Sequence, residues 1–145
     1  MREAKMTTPH TSGLPSLWNP NAACNWCLIF FLTFGSYIHM LNWTELGERE
    51  RAHNARLWFF ASCAFLVVYS YAGVVSAENS PIIGKMRLFG VALTLSWYFI
   101  SGRPQVRYVS ERHQGNYAKL SWTKPLCIAA LINFVVVVIL SAVAD

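Results

Sequence analysis

Apolar and polar positions alternate along this chain in blocks of about twenty residues rather than at the period of a soluble helix or strand. Four stretches carry no Asp, Glu, Lys or Arg over most of their length: 22–43, 57–77, 88–102 and 125–144. A helix rises about 1.5 Å per residue, so about 20 apolar residues cross a hydrocarbon core of about 30 Å. The first, second and fourth stretches meet that length. The third meets it when begun near Ile82, with Lys85 and Arg87 in the first turns bending back toward the head groups; a half-inserted, re-entrant segment is the alternative. The pattern predicts an all-α polytopic membrane protein, with spans at about 22–43, 57–77, 82–101 and 125–144 forming a four-helix transmembrane bundle.

Two further features belong to the same pattern. Trp18, Trp26, Trp43, Trp58, Trp97, Tyr98 and Trp122 fall near the proposed span ends, as interfacial aromatics do. In the connection before the last span, Val106, Val109, His113, Tyr117 and Leu120 recur at spacings of three and four while Arg103, Arg107, Arg112 and Lys119 fall elsewhere. That spacing predicts an amphipathic interfacial helix at about 104–121, entered at Pro104 and open to a break at Gly115–Asn116. Residues 1–18 read as a flexible tail, and 19–145 as a single transmembrane domain.

Composition sharpens the class. Hydrophobic residues make up 54% of the chain and charged ones only 13%, against about 25% charged in a soluble domain. A soluble bundle would show a polar face on each helix, and the second and fourth stretches have none. The first apolar segment is too long and too far from residue 1 for a secretory signal peptide.

The net charge of +5 calls for no nucleic-acid partner. Arg49, Arg51 and Arg56 follow the first span, and Arg103, Arg107, Arg112, Lys119 and Lys124 follow the third; Lys85 and Arg87 lie between the second and third. The positive-inside rule then places loops 44–56 and 102–124 in the cytoplasm and both termini outside. Membrane lipids are the expected surroundings, with anionic ones favoured at the basic face. The similarity of 53–58 to 116–122 hints at a parallel repeat.

Candidate chemistry is sparse. Cys24-Asn25-Trp26-Cys27 has the C-x-x-C spacing of a redox couple or half a zinc site. Zinc needs four ligands, and Cys63 and Cys127 are expected at the opposite end, so no metal and no cofactor is expected. Four-helix quinone-linked disulfide oxidases carry a second reactive pair on the same face, which this chain lacks. Small four-helix multidrug exporters are similar in size but depend on an embedded Glu; here the first span offers Thr33, Ser36 and His39, the last read as an interfacial histidine. Asn133, deep in the fourth span, should bond to another helix. Small residues (Ser62, Ala64, Gly73, Gly84, Gly90, Ala92, Ala129 and Ala130) suit close helix contacts without forming a G-x-x-x-G motif.

Asn19-Pro20-Asn21-Ala22-Ala23 through Phe34-Gly35, Asn42-Trp43 and Leu46-Gly47-Glu48 resembles uncharacterised small four-helix bacterial inner-membrane proteins. So does Gln105-Val106-Arg107-Tyr108-Val109 followed by Tyr117, Trp122 and Lys124-Pro125-Leu126. The resemblance implies a bacterial inner-membrane location and no particular activity.

The expected function is non-enzymatic: a membrane interaction protein, either a homo-oligomer or a small subunit or regulator of a larger membrane partner. An assembly factor or a toxin antagonist would fit. Arg49, Arg51, Arg107, Tyr108 and Arg112 form the expected surface for acidic protein or lipid. One alternative is an oligomeric pore lined by Thr33, Ser36, Thr94 and Asn133; another is a thiol-redox protein using Cys24 and Cys27.

Overall fold

The computed structural model describes residues 13–76 and 80–144. Its elements run β1 (Ser16–Leu17), α1 (Pro20–Glu45), α2 (Arg49–Val75), α3 (Pro81–Trp97), a π-helical turn (Tyr98–Gly102), α4 (Arg103–His113), β2 (Ala118–Lys119) and α5 (Thr123–Ala144). The protein is mostly helical. Three segments, Pro20–Glu45, Arg49–Val75 and Thr123–Val143, are long and apolar enough to cross a membrane.

The first of these does not run straight. Phe31 has φ 65° and ψ 171°, and beyond it the chain turns back along itself. His39 Nε2 lies 3.2 Å from the Pro20 carbonyl oxygen, whereas in an unbroken helix those residues would stand about 28 Å apart along the axis. The legs, 20–30 and 32–45, are about 16 and 21 Å long, so they reach about half and two thirds of the way through a hydrocarbon core of about 30 Å. The expected span at 22–43 is therefore a helical hairpin whose two ends share one side.

Gly35 lets the legs touch. A Cβ there would land on Cys27 Sγ and lie 3.2 Å from the Ala23 carbonyl oxygen. Asn19 starts the first leg as its N-cap, accepting from the Asn21 and Ala22 N–H groups at 3.0 and 3.3 Å, with Pro20 at the first helical position, where its missing N–H costs nothing.

The third helix is longer than expected and has no gap before α4. α3 alone has 17 residues, but helical backbone continues through Tyr98 and Arg103 into α4. Pro104 explains the π turn. It has no N–H to offer the Ile100 carbonyl, and its ring would collide with that oxygen, so the preceding turn widens. The segment expected as a separate helix at 104–121 is thus the end of this rod. It stops at His113 because Gln114 and Gly115 take left-handed conformations, at φ 47° and 78°. Residues 118–119 then form a strand. α4 buries Gln105 and Val109 against the protein and leaves Arg103, Arg107 and Arg112 exposed.

β1 and β2 pair in parallel, Ser16 with Ala118 and Leu17 with Lys119. Ala118 N–H donates to the Pro15 carbonyl at 3.1 Å, and Leu120 N–H to that of Leu17 at 3.0 Å. Trp18 Nε1–H donates to the Ser121 carbonyl at 3.0 Å. Residues 13–18 are thus bound in place, at the same end of the molecule as the loops after α1 and α4. That differs from the arrangement in which the N-terminal segment and residues 102–124 lie on opposite sides. The hairpin is the reason: a segment that turns back delivers the chain to the side it left. The rest of the expected tail, 1–12, lies outside the described residues.

The core gathers at this basic end. Trp43, Ala52 and Ala55 pack with Met40, Leu46 and Tyr108, and Cys27, Leu32 and Trp97 pack with Cys24, Phe31, Trp58 and Leu93. Deeper along the rods, Phe65 stacks on Phe31 with ring centroids 5.8 Å apart and fits beside Gly90. Among the described residues, α5 contributes only Ala129 to the buried set.

Candidate functional site

The start of α2 and the whole of α4 meet over the open end of the α1 hairpin, where its two leg ends come together, and their side chains form two layers there. The outer layer centres on Tyr108. Its hydroxyl donates to Glu48 Oε1 at 2.6 Å, and its ring meets Trp43 edge-on with centroids 5.1 Å apart. The Arg51 guanidinium lies 4.9 Å from the Trp43 ring and 4.7 Å from the Tyr108 ring, and that of Arg112 lies 5.5 Å from the latter. Cations are drawn to aromatic faces, and Glu48 Oε2 stands 3.8 Å from Arg51. Four expected surface residues thus fall close together, since Arg107 immediately precedes Tyr108 in α4 and lines the same groove as Arg51; its guanidinium is bonded to Glu111 at 2.6 Å. Arg49 is exposed, with no side-chain ion pair among the described residues.

The hydrogen bond to Glu48 is the first cause that raises the Tyr108 hydroxyl above the ordinary range; partial burial adds to it. The neutral phenol is therefore favoured in the folded state. Its contribution to stability is complete below about pH 10, the value of a free tyrosine, and is lost as pH rises through the higher folded value. In an alkaline absorbance titration, Tyr108→Phe should remove a late-ionising phenol. Loss of an early-ionising one instead would contradict the Glu48 contact.

Beneath lies a buried polar layer. Asn42 accepts from the Trp18 N–H at 3.1 Å and donates to the Trp18 carbonyl at 2.8 Å. It also donates to Gln105 Oε1 at 3.4 Å, while Gln105 Nε2 donates to the His39 carbonyl at 2.9 Å. Cys24 Sγ is 3.6 Å from His39 Nε2, and the His39 ring meets Trp97 edge-on at 5.1 Å. His39 Nδ1 and Trp97 Nε1 are buried without a partner among the described residues.

The pairing of Cys24 with His39 is a consequence of the hairpin. In a straight span they would stand about 22 Å apart along the axis, which is how the sequence reads. The contact does not make a thiol–base dyad. A neutral imidazole that donates from Nε2 to the Pro20 carbonyl has its lone pair on Nδ1, facing away from the sulfur. Cys27 donates to the Ala23 carbonyl at 3.4 Å. Cys24, Cys27, Cys63 and Cys127 are all free thiols, and no cluster of three or more His, Cys, Asp or Glu suited to a metal occurs among the described residues.

Three of the four polar residues expected to line a pore donate to a nearby carbonyl of their own helix. Ser36 donates to the Leu32 carbonyl at 2.9 Å, Thr94 to that of Gly90 at 2.9 Å and Asn133 to that of Ala129 at 2.9 Å. Thr33 Oγ1 is buried without a partner among the described residues. Ser36 Oγ also lies 3.1 Å from the Thr33 carbonyl, to which it donates, but no described contact joins either residue to Thr94 or Asn133.

An open groove of about 560 Å³ runs beside the outer layer, lined among others by Arg51, Asn54, Phe99, Ile100, Arg103 and Arg107. The sequence marks Arg103 as part of the charge asymmetry and of the polar face of the expected 104–121 helix, and gives no site role to Asn42, Glu48, Asn54 or Gln105. The signal for Gln105 is its place four positions before Val109, which puts the two on one face of α4. Compared with protein-family models, curated proteins and solved structures, the chain matches none.

Proposed function

We propose that this chain is a non-enzymatic integral membrane interaction protein that works as a homo-oligomer, joined in the bilayer through α5. Asn133 is the observation that carries the reading. It is exposed among Leu131, Ile132, Phe134 and Val135, themselves 45–67% exposed, and its one described bond is to its own helix. An amide carries two N–H donors and an oxygen acceptor, and in hydrocarbon the unsatisfied groups cost free energy. α5 has almost no partner within one copy, and the helix that Asn133 needs comes from another.

In this reading the basic end faces the cytoplasm, as the positive-inside rule directs. Residues 13–18 share that side, α2, the α3–α4 rod and α5 cross, and the α1 hairpin dips in and returns. A bacterial inner membrane is the setting the resemblance of 19–126 implies. A larger membrane partner seated on α5 in place of a second copy is the competing assembly.

An interhelical amide bond contributes about 1–2 kcal/mol in membrane peptides, so Asn133→Leu should weaken self-association about fivefold or more. The measurement is the oligomer distribution of purified protein by native mass spectrometry across protein-to-detergent ratios. An unchanged distribution would remove the basis of the proposal, and a parent protein that is monomeric but carries a stoichiometric second chain would give the site to that partner.

A further inference from the structure

The groove at the basic end crosses the boundary between two kinds of surface. On one side are Phe99 and Ile100, 59% and 62% exposed, continuous with the apolar wall of α3. On the other are Arg51, Arg103 and Arg107, with Asn54 beside them. From Phe99 to Arg103 the helix advances about 6 Å, close to the step from an acyl chain to its phosphate. We propose that this groove binds the head group of an anionic phospholipid, with the phosphate among the arginines and the chains against Phe99 and Ile100.

Charge supports the assignment. Three guanidiniums face one carboxylate in the lining, Glu111, which is bonded to Arg107. Glu48 stands behind Arg51 and is shared with the Tyr108 hydroxyl. Arg103 has no ion pair among the described residues and is exposed, so its planar fork of donors is free for a phosphate. Preorganisation supports it as well. Arg51 is held against two rings, and Trp43 beneath it is almost fully buried. A free phosphate would use the arginines but gain nothing from the apolar lip. The groove volume falls in the range of about 300–1,000 Å³ of small-molecule sites, enough for a head group but not for its chains.

The inference rests on the membrane placement proposed above and is independent of the α5 contact. Its test is native mass spectrometry of the full chain in detergent, titrated with phosphatidylglycerol or with phosphatidylcholine of the same acyl chains. The parent protein should hold phosphatidylglycerol about tenfold more tightly. Arg103→Gln, which breaks no described contact, should lose most of that preference, and Arg51→Gln with Arg103→Gln the rest. Lys119→Gln with Lys124→Gln removes two exposed charges outside the groove lining and should preserve it. Equal binding of the two lipids overturns the proposal, as does an equal loss in the control pair, which would mean diffuse attraction. Binding of inorganic phosphate without a lipid preference, or of an acidic peptide in place of lipid, reassigns the groove and also overturns it. The same spectra report the oligomer, so a failed groove with an intact Asn133-dependent assembly leaves the α5 reading standing.

Discussion

Replacing Gly35 by valine is expected to force the two legs of α1 apart and to lower stability more than the same change at any other helical glycine. A Cβ at Gly35 meets Cys27 Sγ, a Trp97 ring carbon at 3.0 Å and the Ala23 carbonyl oxygen at 3.2 Å. Two of these cannot step aside: the carbonyl is backbone, and Cys27 is buried on a short side chain. Overpacking of this kind costs about 1–3 kcal/mol, and valine adds two methyl groups beyond the Cβ. Gly73→Val and Gly84→Val are the controls, because nothing lies within 4 Å of a Cβ at either position. The free thiols supply the readout, a melt in detergent followed with a thiol-reactive dye. At about 2–4 °C per kcal/mol for a domain near this size, Gly35→Val should melt several degrees lower and the controls near the parent. Equal midpoints for all three variants would mean that the legs do not pack at Gly35.

The second large effect is expected at Asn42. This one amide satisfies both backbone groups of Trp18 and touches Gln105, in a place that water does not reach. Asn42→Leu keeps the bulk and leaves the Trp18 N–H and C=O unpaired. Each stranded group costs about 1–3 kcal/mol, and the relief available to the chain is to release residues 13–18 into water. The β1–β2 pairing should go with them. Oxidative cross-linking between Ser16→Cys and Ala118→Cys, a register pair, should form readily in the parent and fall sharply with Asn42→Leu. Asn42→Asp, which keeps an acceptor for the Trp18 N–H but has no donor for its carbonyl, should lie between. If Asn42→Leu cross-links as well as the parent, the segment is held by something other than this amide.

Both effects lie in places that hydropathy does not single out. Gly35 and Asn42 occur in an apolar stretch of spanning length, where hydropathy does not distinguish them from their neighbours. The expected spans near 57–77 and 125–144 have their counterparts in α2 and α5, because those helices are apolar all round and need no neighbour to explain them. The break expected near Gly115–Asn116 also has its counterpart, since a left-handed glycine ends a helix by local geometry alone. Placement of the site residues was legible only in part. The aromatic and basic residues of 43–51 and 107–112 were named for their density, but the ring stack that orders them needs α2 and α4 side by side. A straight span puts His39 and Cys24 at opposite membrane faces, whereas the folded hairpin brings them within 3.6 Å.

Composition and the length of the apolar runs alone provide helices long and apolar enough to cross a membrane. A chain with this few charges and apolar runs of this length satisfies its backbone in lipid only as helices, and the sequence displays that without reference to any contact. Tertiary structure decided which way the first of those runs goes. A hydropathy sum is the same for a rod and for a hairpin, because it counts residues and ignores their neighbours. The turn at Phe31 instead depends on Gly35 meeting Ala23 and Cys27 and on Asn42 reaching Trp18, contacts between residues 8 to 24 positions apart that exist only once the legs are folded together.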